Sequence, residues 1–312
     1  MPILHSLPKA ELHLHLEGSV EPATLAELAP RIEPARYQFT DFAGFIESFK
    51  WVTSHLREPG DYGLITRRLI ESLERQNVRY AEITLSAGVA LWRKQDFGAI
   101  YEAVRKASTA SSVTVFWILD AIRHFGPEPA MEVARLAAEH VNDGVVAFGI
   151  GGDEARGPAE WFRDVFAFAR AHGLRLTAHA GETCGPESVW QAVEIGAERI
   201  GHGISSVQDP ALLRHLRDQG IPLEVCISSN VATGAVASLA AHPVRRIYDA
   251  GVPIVLNSDD PAMFGTTLTR EYELARDQFG FSERELRELA ENSFRHAFRY
   301  TVGFDDANQT TR

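Results

Sequence analysis

Glu11-Leu12-His13-Leu14-His15-Leu16 is the stretch that decides how this 312-residue chain reads. Side chains of an extended strand repeat every second residue, so His13 and His15 fall on one face. Two imidazoles on one face begin a transition-metal site. A third histidine followed by a glutamate, in His179-Ala180-Gly181-Glu182, and the carboxylates of Asp259-Asp260 could complete it. These pieces lie far apart in sequence. Only a fold that gathers the ends of several strands can unite them.

Outward from that stretch, short β-rich runs alternate with longer helical patterns. The spacing predicts strands over Glu11–Leu16, Val78–Leu85, Val113–Ala121, Val145–Ile150, Arg175–His179, Arg199–Gly201, Pro222–Cys226 and Pro253–Leu256. Several are continuous apolar runs, the pattern of parallel strands buried on both faces. Helical spacing occupies Tyr62–Gln76, Pro129–His140, Ala159–His172, Pro186–Ile195, Pro210–Gln219, Pro243–Ala250 and Ser282–Phe298. Pro186, Pro210 and Pro243 open helices that stop just before a glycine. Ser282 with Glu285 reads as a capping box. Eight strands alternating with helices predict an α/β fold, a (β/α)8 TIM barrel, with residues 1–312 as one domain. Residues 35–60 carry Phe39, Phe42, Phe45, Ile46, Phe49 and Trp51 and form an aromatic-rich helical insertion after the first strand. It is read as a packed helix whose free edge lines a pocket; a mobile lid is the other reading. Phe304–Arg312 is polar and expected to fray.

Hydrophobic residues make up 45% of the chain, enough for a large core. Net charge is −11, with Lys and Arg dispersed. That argues against nucleic acid as a partner, because phosphate-backbone binding needs a basic stripe. The first residues lack a basic region followed by a long apolar stretch, and no apolar run approaches membrane-spanning length. Neither a signal peptide nor a membrane partner is expected. Cys184 and Cys226 form no Cys-x-x-Cys pair, so a reducing, cytoplasmic setting is the default. The residues neither require nor exclude a homo-oligomer.

The polar clusters all follow proposed strands: His13 and His15 the first, Gly151-Gly152-Asp153-Glu154 the fourth, His179 and Glu182 the fifth, His202 the sixth, Ser228-Ser229-Asn230 the seventh, Asp259-Asp260 the eighth. In a barrel these positions converge on one mouth, where catalytic groups belong. Singly, each has a bland explanation. Glu182 could cap the next helix, Asp259-Asp260 could form an Asx turn, and Gly151-Gly152 could be only a tight turn. Jointly they favour a metal site: His13, His15, His179 and Asp259 supply three nitrogens and one oxygen, a set that suits zinc. Glu182 can reach the same cavity as proton carrier, and His202 can orient a water. His5, His55, His124, His140, His172, His215, His242 and His296 are read as surface or packing residues. None of the four lysines, Lys9, Lys50, Lys94 and Lys106, follows the fourth strand, where binuclear barrel hydrolases carry a bridging lysine. One metal ion is therefore favoured. The Pro-Cys-x-x-Cys deaminase signature is missing.

Lys9-Ala10-Glu11-Leu12-His13-Leu14-His15-Leu16-Glu17-Gly18, Gly152-Asp153-Glu154, Thr177-Ala178-His179-Ala180-Gly181-Glu182, Gly201-His202-Gly203 and Asn257-Ser258-Asp259-Asp260-Pro261 together resemble the adenosine/adenine/AMP deaminase family of the amidohydrolase barrels. The resemblance implies one Zn2+ per subunit, held by His13, His15, His179 and Asp259. It implies that Glu182 protonates purine N1 while metal-activated water adds to C6. His202 positions that water and assists its deprotonation, Asp260 meets N7, and the Gly152 N–H meets N3. The activity implied is hydrolytic deamination of a 6-aminopurine to its 6-oxo product and ammonia.

The substrate is where the pattern departs from the adenosine deaminases, which often carry Asp where this chain has Glu17. Relatives acting on adenine carry Glu there, as do some acting on 5′-substituted adenosines such as aminodeoxyfutalosine. Gly201 speaks against free adenine, whose deaminases tend to have Asp before the histidine. Ser229–Gly234 and Phe264–Thr267 look nucleoside-type. The expectation is a nucleoside, adenosine or a 5′-substituted adenosine, bound by Glu17, Gly152, Asp260, Phe45 and Phe49. Free adenine and a non-purine amidohydrolase are the alternatives. AMP is disfavoured because no basic cluster near the motifs offers a phosphate clamp.

Overall fold

Eight parallel strands pair in sequence order: β1 (Lys9–His15), β2 (Val78–Leu85), β3 (Thr114–Ile122), β4 (Val145–Gly151), β5 (Arg175–Ala180), β6 (Arg199–His202), β7 (Leu223–Val225) and β8 (Ile254–Leu256). The computed structural model describes residues 2–29 and 37–299, so Phe304–Arg312 and the first two residues of the 35–60 insertion lie outside the described residues. Each strand is followed by helix before the next, which gives a (β/α)8 barrel. Strand burial is nearly continuous in β1, β2 and β4, as the apolar runs require.

The seam between β8 and β1 closes differently from the others. Beyond β8, Leu14 bridges to Asp259: His15 N donates to Asp259 O at 2.8 Å, and Asp259 N to His13 O at 3.1 Å. Below that bridge, side chains replace the ladder. Asn257 Oδ1 takes the N–H groups of Leu12 (2.8 Å) and His13 (3.1 Å), and Glu11 Oε1 takes Ser258 N at 2.8 Å. No backbone donor there is left to a dry interior, where an unpaired one costs a few kcal/mol.

Where structure and sequence reading differ, the reasons are local. β7 and β8 are shorter than expected because Pro222 and Pro253 contribute carbonyls only, to Ile200 N and Leu223 N. The helix expected over Ala159–His172 is a 3-10 turn, Ala159–Phe162, running into an α-helix, Arg163–Ala171. The last helix, Glu283–Arg295, has the Ser282–Glu285 capping box but stops before Phe298. Among the helices that escaped the reading are Pro22–Leu28, Phe97–Ser108 and Leu268–Phe279. The second and third have side-chain N-caps, Asp96 to Ala99 N and Thr267 to Arg270 N, which are legible signals.

Phe298 leaves the helix to cover the base of the barrel. Its N–H donates to Glu82 Oε1 at 2.6 Å, and its ring lies 3.6 Å from the guanidinium of Arg199. Arg199, with its side chain 1% exposed, pairs with Glu82 at 2.6 Å and Glu224 at 2.5 Å and donates to His296 O at 3.0 Å. One cation between two buried carboxylates cannot be removed alone, because both would then be uncompensated. Arg199→Met is expected to cost about 3–5 kcal/mol. A urea unfolding midpoint equal to that of the unaltered protein would contradict this.

Candidate metal centre and active site

β1 ends on His13 and His15, β5 carries His179, β6 ends on His202, and Asp259 follows β8. All four strand ends meet at one mouth. His13 Nε2 and His15 Nε2 lie 3.2 and 3.3 Å from Asp259 Oδ1, and the Nε2 atoms of His15 and His179 are 3.3 Å apart. A tetrahedral set about 2.0–2.1 Å from one ion has donors spaced about 3.3 Å apart.

The outer nitrogens show why these rings fit a cation. His13 Nδ1 donates to Glu224 Oε2 at 2.9 Å, and His179 Nδ1 donates to Ile150 O at 3.1 Å. Their Nε2 lone pairs therefore point inward, and the buried Nε2 of His13 has no hydrogen-bond partner. Burial pushes His15 down to about 3 and His179 down to about 4, so both rings are neutral ligands. For His13, burial opposes a second proton, but Asp259 and Glu224 outweigh it and push the ring up to about 10. That proton and a metal ion compete for the same place. Ser229 Oγ donates to Asp259 Oδ2 at 2.7 Å and leaves Oδ1 facing the rings.

His13, His179, His202 and Asp259 also cluster within ligand distance of one another, but His202 accepts a hydrogen bond at Nδ1, which leaves its proton on the inward-facing Nε2. Val244 N–H donates to His242 Nδ1 (3.2 Å), His242 Nε2–H to Asn230 Oδ1 (3.1 Å), and Asn230 Nδ2–H to His202 Nδ1 (3.0 Å). The tautomer assigned from these partners places the His202 proton on Nε2, 3.6 Å from Glu182 Oε2 and 3.9 Å from Asp259 Oδ2. Burial holds His202 well below its ordinary pKa, so the ring is neutral. His242, read from sequence as a surface or packing residue, is buried and sets this tautomer.

Glu182 sits on a turn clamped by Glu154. Glu154 accepts from Gly181 N (2.8 Å), Glu182 N (2.9 Å), Thr183 N (2.8 Å) and Ser188 Oγ (2.5 Å). Burial works against its ionisation, but these donors keep its carboxyl below the ordinary range. Glu182 itself has almost no donors, Thr233 Oγ1 being 3.5 Å away. Burial, then Asp259 and Glu154, hold it well above the usual carboxylate range.

The mouth opens into a cavity of about 460 Å3. Of the five residues read as substrate contacts, Gly152, Asp260, Phe45 and Phe49 line it. Glu17 is buried beside it, accepting from Ser86 N at 3.1 Å with its other oxygen unpartnered; burial pushes it up to about 7. Asp260 is likewise held well above the usual range, first by burial and then by Asp259. Gly18 makes room for it, since a Cβ there would lie 1.6 Å from Asp260 Oδ1. Gly201 lies against His13, whose Cε1 would be 2.7 Å from a Cβ. The helix Phe42–Thr53 gives the cavity Phe42, Phe45, Ile46, Phe49, Lys50 and Thr53, whereas Trp51 instead packs edge-on against Tyr37 and His55. His124, also read as bland, lines the cavity, as does Asp120, which the sequence reading passed over. An ionisable residue inside the apolar run Phe116–Ala121 was the available signal.

Removing the support behind a ligand tests the cage without touching it. Glu224→Gln can satisfy only one of His13 and Arg199 through oxygen. Metal affinity is expected to fall about 10–100-fold, read by competition with a chromophoric chelator. Unchanged affinity would show that Glu224 does not tune the centre.

The adenosine deaminase family pattern matches residues 8–302. An aminodeoxyfutalosine deaminase of Streptomyces coelicolor is 44% identical over 310 residues, covering 94% of this chain and 80% of that protein. An adenine deaminase of Rhizobium leguminosarum bv. trifolii is 36% identical over 305 residues, covering 94% and 95%. The crystal structure of an amidohydrolase from Burkholderia ambifaria with bound Zn superposes with a TM-score of 0.87 at 26% identity, covering 98% of this chain and 89% of that one. With a barrel, a three-histidine-one-aspartate cage and a family match over nearly its whole length, the chain belongs to the adenosine deaminase family.

Proposed function

We propose that this protein is a zinc-dependent hydrolytic deaminase of a 6-aminopurine nucleoside, with a 5′-substituted adenosine such as aminodeoxyfutalosine as the preferred substrate. One observation carries the reading: a buried carboxyl, Glu182, stands beside a cluster of inward-facing donors on the wall of a cavity of about 460 Å3. The identity to an aminodeoxyfutalosine deaminase, 44% against 36% for the adenine deaminase, supports the nucleoside over the free base. So does the cavity, whose outer wall carries Phe42, Phe45, Phe49, Trp92 and Phe125 together with Lys50, Arg93 and Arg156. On a chain of net charge −11, this rim suits a flat, anionic 5′ group.

His13, His15, His179 and Asp259 would hold the zinc. When bound, the ion supplies Lewis-acid activation of water, lowering its pKa towards about 7. The chain's own groups account for the rest. Glu182 holds a proton for purine N1, and protonating N1 withdraws electron density from C6. His202 donates its Nε2–H towards the oxygen that adds to C6, which positions that oxygen and stabilises charge developing on it. In this tautomer it acts as a donor rather than a base. Asp260, protonated, donates to N7, and the Gly152 N–H to N3. Glu182, ionised once N1 holds its proton, can take the proton of the C6 hydroxyl and pass it to the amino nitrogen; the C6–N bond then breaks, the C6=O bond forms and ammonia leaves.

Ammonia release should be measured with adenosine, deoxyadenosine, 5′-methylthioadenosine, aminodeoxyfutalosine and adenine. The expected order places aminodeoxyfutalosine first in kcat/KM and adenine last. Release from adenine alone would support the free-base reading, and no release from any would defeat deamination. Glu182→Gln should retain its zinc, checked by metal analysis, and lose about 10²–10⁴-fold in kcat. Near-normal turnover would remove Glu182 from the proton path.

A further inference from the structure

Asp120 is a buried carboxyl of the cavity wall to which the reaction above gives no task. It lies near the C-terminal end of β3 and is 4% exposed, and its Oδ1 has no hydrogen-bond partner. Its Oδ2 faces the neighbouring strand end, 2.9 Å from where a Cβ on Gly151 would sit. Glu17, after β1, presents a second unpartnered buried oxygen; burial pushes Asp120 up to about 8, and Glu17 adds to the rise. Leaving a buried carboxyl oxygen unpaired costs folding free energy. A ligand in the cavity can supply the missing donor.

The order of strands around the mouth says which part of a nucleoside that donor belongs to. The inference rests on the nucleoside reading. N1 is taken by Glu182 after β5, N3 by Gly152 after β4, and N7 by Asp260 after β8. N9 lies between N3 and N7 on the side of the purine away from N1. Its substituent therefore leaves across the arc from β1 to β3, where Glu17, Ser86 and Asp120 stand. A purine nucleoside has no ring N–H to offer there, because N9 carries the sugar. The donors available are ribose hydroxyls.

We propose that Asp120 accepts a hydrogen bond from a ribose hydroxyl of the substrate and thereby selects nucleosides over the free base. It is a specificity-determining residue beside Glu17, not part of the proton path.

The test compares the zinc-loaded enzyme with its Asp120→Ala and Asp120→Asn variants. The substrates are aminodeoxyfutalosine, adenosine, 2′-deoxyadenosine, 3′-deoxyadenosine and adenine, with thermal unfolding followed in parallel. Asp120→Ala is expected to lose roughly 10–100-fold in kcat/KM on adenosine and aminodeoxyfutalosine, mainly through KM. The loss should shrink to a few-fold or less on whichever deoxynucleoside lacks the contacted hydroxyl. Asp120→Asn keeps an acceptor oxygen and should recover part of the activity. Neither variant should lower the unfolding midpoint, since the group removed had an unpaired oxygen. An equal loss on all nucleosides, with or without a lowered midpoint, overturns the proposal. So does a loss confined to adenine, whose N9–H is the other donor that could reach Asp120. If the unaltered enzyme deaminates adenine but no nucleoside, this proposal falls together with the reading it rests on.

Discussion

The backbone of Asp259 joins the last strand to the first. Its N–H and C=O bond to His13 and His15, and its carboxylate faces the rings of the same two residues. Barrel closure and ligand placement are therefore one constraint. The joint adopts a left-handed backbone at Asp259 (φ 64°), and His202 does the same at the end of β6 (φ 61°). Such conformations cost a non-glycine residue about 1–2 kcal/mol. They persist because two strand ends and a ring of hydrogen bonds overdetermine them. If β1 slipped by one residue against this joint, both histidines would leave the mouth together.

From the cage, a run of charge passes down through the barrel to its base. His13 leans on Glu224, Glu224 on Arg199, Arg199 on Glu82, and Glu82 takes the Tyr80 hydroxyl and the Phe298 N–H. Each link is buried, so each group depends on its neighbour to offset its desolvation. Arg199 keeps Glu224 ionised, which keeps a His13 proton on Nδ1 and turns Nε2 towards Asp259, where the proposed zinc would sit. The stability of the base and the basicity of a ligand are in this way coupled through β6 and β7.

Much of this was legible before any coordinates. The βα rhythm gives the barrel, and the barrel explains why His13, His179, His202 and Asp259 each follow a strand. What sequence could not supply was the pairing of side chains across strands. Glu154 stands in a quoted motif, yet only the fold shows it gripping the turn of Glu182. Asn230 and His242 look like a polar loop residue and a packing histidine until their order of donation is traced to His202. Asp120 and the caps Asp96 and Thr267 left local traces: an acid in an apolar run, and polar residues before helical spacing. Glu224 left a weaker one, because an acid in a three-residue strand has too little pattern around it to stand out.

Six buried carboxyls around the site fall into two groups. Glu154, Glu224 and Asp259 are surrounded by N–H, hydroxyl, imidazole or guanidinium donors, which hold them ionised against burial. Burial holds Glu182, Asp260 and Glu17 high, and carboxylate neighbours add to it at Glu182 and Asp260. The first group fixes the cage and the loops, a task for permanent charge. Glu182 and Asp260 of the second group line the cavity and Glu17 is buried beside it; in the proposed reaction a proton is carried there to one nitrogen and donated to another. Supplying Glu182 with the donors that Glu154 enjoys would ionise it and remove the acid. The poverty of its surroundings is thus what the proposed reaction requires, and the clamp of Glu154 on the turn beneath it keeps that poorly bonded side chain in place.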